Sequence, residues 1–507
     1  MSERDEQRHH GQILAQDGLI SSANKRKGSP CKQDGDSFLL KENGGDHSQP
    51  GETTVCSIPD LPEDIWHHIH SLMPLPDAAR AACLSHAFLR SWRCYPNLTF
   101  DQYEFSPEAC IYGGGLSHIV DCIMRNHSGT GVKILKLGSF CTSHHNLNSW
   151  LQVAVKPGIE TLKLYYFFKK KYKFPCSLLS DGVRNSIRYL EIGFCTFRPT
   201  AELGPLRCLT SLHLSHVRIT GDELECLLSN SLALEELELI ECTGIICMRI
   251  PCELQRFSHL RISACRRLKL IESKAPNLST VELYGKAQLS LGEALQMKKL
   301  SMFGSNVVCY ARTELPSIMP NFDTLNLNSS DEVVNAPMLP TKFLCLKHLT
   351  ICLSSGSFPW SYDYLSLVSF LDASPSLETL SLDVSKRPTE HESVSGHSSH
   401  SKQMAEDQHC YLKNVKITGF SSAKGLVELA CYILKNAVSL ERLTLDTHYG
   451  SAWRCSDSSS ERCSPMGNGL KEARRALVAI RRYIEGKVPP RVNLTVVEPC
   501  SQCHKLS

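Results

Sequence analysis

At 507 residues the chain is several times the size of one compact domain, which leaves either several domains or an array of repeats. Hydrophobic residues make up 42% of it and charged residues 21%, enough apolar content for most of the length to bury a core. A formal net charge of +3 is small for this mass and gives no reason to expect nucleic acid or an anionic membrane as a partner.

Residues 1 to about 55 are rich in Gly, Ser, Asp, Lys and Gln and cannot offset the entropy of ordering, so a flexible tail is expected. The tail lacks an apolar signal core and no later segment is long, apolar and uncharged, so an intracellular protein of the nucleus or cytoplasm is expected. Lys25, Arg26 and Lys27 form a short basic cluster of the kind that directs nuclear import, although such runs are more often solvated charge. The 24 cysteines are dispersed, many inside apolar runs, as at Cys195, Cys226 and Cys431. They read as reduced, buried thiols rather than as a disulfide framework.

From Cys56 the texture becomes dense in apolar residues at helical spacing, and three short helices fit residues 56–100. Asp60 is placed to cap the first, with Pro62 tolerated in the opening turn and Glu63 completing a capping-box-like pair. Leu61, Ile65, Ile69 and Leu72 then form one apolar stripe. Pro74 and Pro76 end that helix, Asp77 is placed to cap a second through Ala78 to Cys83, and Ser85 opens a third with Phe88 and Trp92 on one face. Residues 101–130 read as a helical linker.

Beyond it runs a cadence of alternating apolar residues in about thirteen copies, at intervals of roughly 20 to 35 residues, the range of repeat architectures. The central residues are Leu135, Leu162, Leu190, Leu212, Leu237, Leu260, Val281, Leu300, Leu325, Leu349, Leu380, Val415 and Leu443. Each copy supplies one short strand that cannot bury its inward face until the next repeat stacks on it, so the strands must lie parallel and side by side. Helical returns are clearest where Leu224, Leu227 and Leu228, or Val427, Leu429, Cys431 and Ile433, line up for the convex side. The predicted fold is therefore α/β: three N-terminal helices, then an irregular solenoid over 131–448 with parallel strands on its concave face. Residues 385–410 and 449–468 read as hydrophilic loops, 469–499 as a helix and strand capping the open end, and 500–507 as a tail.

Few motifs point to chemistry. Cys500, Cys503 and His504 spell the c-type haem attachment pattern, but in a polar terminal tail with no haem-pocket sequence before it, and no second C-x-x-C or spaced His pair makes a zinc module. Sequons at Asn97, Asn126, Asn277, Asn328 and Asn493 would not meet the glycosylation machinery inside the cell. Lys169, Lys170, Lys171 and Lys173, following an aromatic run, read as a solvated loop more readily than as a patch for an acidic target. His67, His68 and His70 read as exposed polar positions. Phosphate-loop, nucleophile-elbow and H-E-x-x-H patterns are absent from the sequence, so no catalytic residue, metal ligand or cofactor is assigned.

The segment Leu61 to Trp92 resembles the F-box motif in its LPxD-like start, apolar stripe, Asp after a proline-bearing loop, and Ser followed by aromatic residues. Leu61, Pro62, Ile65, Ile69, Leu72, Asp77, Leu84, Ser85 and Trp92 match, whereas Phe88 stands where tryptophan is common and Leu84 where valine is frequent. With the repeats that follow, and the stretch at about 411–446, the chain resembles plant F-box/leucine-rich-repeat proteins with an FBD-like C-terminal region. That resemblance implies a non-catalytic subunit of an SCF-type ubiquitin ligase. It would bind a Skp1-type adaptor, and through it a cullin and a RING protein, while the solenoid holds an unknown target protein. Leu61, Pro62, Ile65, Ile69, Leu72, Leu84, Phe88 and Trp92 are the implied adaptor contacts, some of which must instead pack the motif internally. Three alternatives stay open: helices that merely cap the solenoid, a binding scaffold with no ubiquitin role, and a leucine-rich-repeat receptor or immune sensor.

Overall fold

A computed structural model describes residues 61–101, 115–138, 143–165, 172–291, 296–319, 321–332, 341–353, 362–384, 408–448 and 467–499. The chain divides at Asp60/Leu61, and the expected tail lies outside the described residues, as do Asp60, the Lys25–Lys27 cluster, Lys169 to Lys171 and the Cys500–His504 motif.

Three helices open the second unit: α1 (Glu63–Ser71), α2 (Leu75–Ala81) and α3 (His86–Trp92). Pro62 and Pro74 occupy the N-cap positions of α1 and α2, and neither helix has a side-chain cap. Asp77 is thus not a cap. It sits inside the first turn of α2, where it favours the helix dipole and meets Arg80 at 2.6 Å. Ser85 does cap α3, its hydroxyl accepting the Phe88 N–H at 3.2 Å.

The remaining architecture is dominated by a fifteen-stranded parallel sheet, built in chain order from Asn97–Phe100 to Asn493–Val497. The cadence residues form a single row across it: Leu135 pairs with Leu162, Leu162 with Leu190, and so on in unbroken register to Val415 with Leu443. Leu98 and Leu494 extend the row by one strand at each end. From Asn97–Phe100 to Arg442–Asp446 every strand therefore presents two buried apolar residues to one continuous core, while Leu494 and Val496 of the last strand are only partly buried.

The Leu98 strand corrects the expected boundary, because residues assigned to the helical module belong to the sheet. Leu98 and Phe100 are fully buried, and α2 packs against their strand. The linker region supplies a helix, Gly115–Asn126.

Returns between strands vary with the space available. Where repeats are long, helices form: Gly221–Ser229 starts with a capping box of Thr220 and Glu223 and buries Leu224, Leu227 and Leu228, and Lys424–Asn436 buries Val427, Leu429 and Ile433. Where intervals shrink to about 20 residues, too short for a helix and two turns, the returns are strands. Cys247–Ile250, Leu270–Ser273 and Gln288–Ser290 form a second parallel sheet of three. Cys195 is buried, but Cys226 and Cys431 are only half-buried, and the described cysteines are free thiols.

Of the two hydrophilic loops, 385–407 and 449–466 lie outside the described residues, whereas His409 is already packed between exposed Gln408 and Cys410, its N–H donating to the Asn436 carbonyl at 2.9 Å. The terminal helix begins at Gly467 and runs to Tyr483, and the strand Asn493–Val497 closes the sheet.

Candidate functional site

Helix α1 buries Trp66 and His70, one turn apart, and not the Leu61–Leu72 stripe. Phe88 of α3 packs between them, its ring 4.8 Å from Trp66 edge-on and 4.9 Å from His70. Small residues let α2 approach closely: Ala78, Ala81 and Ala82 are buried with Leu75. His70, expected at the surface, is thus fully enclosed, and neither ring nitrogen has a hydrogen-bond partner. Burial, with His67 beside it, lowers its pKa, so the ring is neutral.

With the inner face taken by Trp66 and His70, the stripe points outward. Ile65 is 40% exposed, Leu72 72%, Leu84 74% and Leu89, which sequence reasoning missed, 36%. Pro62 is exposed, and Leu61, Ile69 and Phe88 are partly covered. Among the expected contacts Trp92 is the one that is buried, and Phe88 also packs inward between Trp66 and His70. At 9% exposure Trp92 turns into the core against Tyr95, ring centroids 5.5 Å apart, and belongs to internal packing. A large aromatic at i+4 from Phe88 gives no sign in the sequence of which side it serves.

The plate made by these helices is bolted to the sheet. Tyr95 Oη donates to the Met73 carbonyl at 2.7 Å, and His127, after the Gly115–Asn126 helix, bridges back. Its Nδ1 accepts the Gly129 N–H at 2.9 Å, so its Nε2 carries the proton donated to the Tyr95 carbonyl at 3.0 Å. The helices cap the first strand and also leave an apolar outer face.

A second polar surface lies on the open side of the sheet, where residues between the buried leucines form rows. In the first half the row is a chain of neutralised charges. Lys163 meets Glu191 at 2.9 Å, His213 meets Glu238 at 2.7 Å, Arg261 lies 3.4 Å from Glu238 and 3.7 Å from Glu282, and Lys299 is 3.8 Å from Glu282. Tyr189, from the neighbouring row, stacks on His213. Beyond these the row is uncharged through Ser301, Asn326, Thr350 and Ser381 and then reaches exposed Lys416 and half-buried Thr444. Such a face offers hydrogen-bonding groups and mostly paired charges along one row. Among the described residues no cluster of His, Cys, Asp or Glu could hold a metal ion.

A helical plate with an uncovered apolar face, fused to a parallel leucine-rich sheet, defines the class: an F-box module carried by a leucine-rich-repeat solenoid. Family comparison agrees, matching the F-box domain over residues 58–98 and the At1g61320/AtMIF1 LRR domain over residues 123–501. The second match spans well over half of the chain, and the protein belongs to that family of F-box proteins with leucine-rich repeats. Its relatives in Arabidopsis thaliana include the FBD-associated F-box protein At1g66310, 24% identical over 76% of this chain and 89% of the relative. The putative FBD-associated F-box protein At1g61330 is 22% identical over 78% of this chain and 92% of its own length. A shorter match, 26% identical over 36% of this chain and 43% of the relative, is to the F-box/FBD/LRR-repeat protein At1g13570.

Proposed function

We propose that the protein is the substrate-recognition subunit of an SCF-type ubiquitin ligase, docking a Skp1-type adaptor on the outer face of α1–α3 and a target protein on the solenoid. The observation that carries this reading is the uncovered apolar stripe of Ile65, Leu72, Leu84 and Leu89. Solvent exposure of four large apolar side chains on so small a module is unfavourable, and covering them contributes about 1 to 2 kcal/mol each, most for Leu72 and Leu84. An apolar groove on an adaptor meets that need, and the adaptor in turn links to a cullin and a RING protein. The contribution to ubiquitination is then proximity: a target lysine is held near an activated thioester, and an encounter becomes effectively intramolecular. That role belongs in the nucleus or cytoplasm, where free cysteines such as those of this chain stay reduced.

The experiment is co-purification of the intact chain and of a Leu72→Asp/Leu84→Asp variant with a Skp1-type adaptor, while the proteasome is blocked. Both sites are exposed, so the variant keeps its thermal midpoint. Its adaptor affinity is expected to drop by at least about thirtyfold, the equivalent of 2 kcal/mol, and the cullin should vanish with the adaptor while targets persist. An adaptor that binds parent and variant alike rejects the proposal.

A further inference from the structure

The last repeat ends in a surface unlike the rest of the chain. The terminal helix Gly467–Tyr483 buries Ala473, Ala476, Ala479 and Ile480 and turns Lys471, Arg474, Arg475, Arg481 and Arg482 outward. Spacings of three, four and seven residues put these five cations on one face, with Val478, 63% exposed, among them. Residues 467–499 carry seven lysines and arginines against three glutamates, so this end piece alone exceeds the +3 of the entire chain. One of those glutamates, Glu472, is buried, where one oxygen accepts the Ser422 N–H at 2.8 Å and the other lies 3.7 Å from Arg475, so Lys471, Arg474 and Arg482 carry most of the face.

Beside this face is an open sheet edge. Arg481 reaches Glu498 at 3.7 Å, just past the strand Asn493–Val497, which is last in the sheet. The Asn493 N–H donates to the Glu441 carbonyl at 2.8 Å, and the Val497 carbonyl accepts the Thr447 N–H at 3.1 Å. Successive residues of a parallel strand bond to opposite sides, so the N–H and C=O groups of Leu494 and Val496 point away from the neighbouring strand. Among the described residues no strand takes them up.

We propose that this end of the solenoid docks an extended acidic segment of a protein partner, which adds to the sheet as its next strand along Leu494 and Val496 and sets its carboxylates against the arginines of the terminal helix. Two independent features select that occupant. Unpaired backbone groups select a polypeptide in strand form, and the cationic face selects aspartate and glutamate. A second copy of this chain is disfavoured, because edge-to-edge pairing would bring two cationic faces together. A long polyanion gains little beyond the short stripe, since the remainder of the chain is close to neutral, and a membrane would find Val478 as the lone large apolar residue on the stripe. Pro489, Pro490 and Pro499 bound the usable edge, so the docked segment spans about five residues. This proposal does not depend on the ubiquitin reading.

The test is fluorescence anisotropy of the full-length chain with a peptide of about ten residues alternating Glu and Val. Its arms are the same peptide with Gln for Glu, the peptide N-methylated at alternate amides, a single-stranded oligonucleotide and phosphatidylserine vesicles. The acidic peptide is expected to bind saturably, and to weaken with salt and by at least about tenfold on Gln replacement, on N-methylation, and with Arg474→Glu/Arg482→Glu. Val496→Pro, which removes an outward N–H and leaves the existing ladder intact, should weaken it likewise with an unchanged circular dichroism spectrum. Should Val496→Pro disturb the fold, N-methylated peptide against the parent chain still decides. Equal binding to the charge-reversed chain, indifference to N-methylation, or displacement of the peptide by oligonucleotide or vesicles at lower concentration would overturn the proposal.

Discussion

His70 and His127 couple the helical plate to proton concentration. Each sits below its ordinary value of 6.5, His70 through burial and then the charge of His67, His127 through burial opposed by its bond to the Tyr95 carbonyl. A base with a depressed pKa in the folded chain binds its proton more readily when unfolded. Its stabilising contribution is complete above about pH 6.5 and is lost as pH falls below that value. The thermal midpoint should therefore drop between about pH 7 and pH 5, and His70→Leu, which replaces an unpartnered imidazole with a side chain of similar size, should flatten part of that slope. An unaltered slope in the variant would count against the assignment. The same residue marks where sequence reasoning stopped. Periodicity identified the Ile65–Leu72 stripe, but Trp66 and His70 form a second apolar face about a quarter turn away, and spacing alone does not say which face the chain covers itself.

At the scale of elements, the turns leaving the strands are under strain. Phe194, His216, Glu241 and Ala264 follow four successive strands with φ of 54°, 53°, 48° and 54°, left-handed values that Cβ disfavours. They persist because each N–H continues the ladder, as where His216 donates to the Ile240 carbonyl at 2.7 Å. Side chains stack along the same row, Phe194 on His216 with centroids 4.2 Å apart. Ala264 is exposed and makes no such stack, so Ala264→Gly is expected to stabilise the chain by about 1 kcal/mol, read as a higher denaturation midpoint. Glu332 has the opposite standing. Buried at a strand end, it accepts the Cys309 N–H at 2.9 Å and the Val308 N–H at 2.6 Å, capping the helix Val307–Thr313, whose own N-cap residue Asn306 supplies no side-chain bond. Glu332→Ala should cost about 2 kcal/mol by urea denaturation, because two amides are left without an acceptor. Neither feature was legible beforehand: a left-handed turn at Phe194 or Glu241 has no glycine to announce it, and Glu332 caps a helix that begins more than twenty residues before it.

For the molecule as a whole, the sheet was the most legible part and the junctions the least. All thirteen cadence residues stand in one register row because a leucine every repeat has a single low-energy destination, the shared core. The Asn97–Phe100 strand was missed because its four residues are embedded in helical texture, and the three-stranded return sheet because short apolar runs look alike in helix and strand. Nearest-neighbour stacking also means the end must be covered. A chain ending after Asp446 would expose Leu443 and Leu445, both fully buried, and is expected to aggregate or to lose its sharp unfolding transition, as checked by light scattering and calorimetry. The unbroken pairing from Leu98 onward has a mechanical corollary. With strands about 4.8 Å apart, fourteen steps make a ruler of about 67 Å whose zero mark is the helical plate. Strand pairs with strand from the first to the last, so whatever rests on a given repeat lies at a distance along the sheet from the plate set by counting strands, and inserting or deleting one repeat would shift that distance by a single graduation.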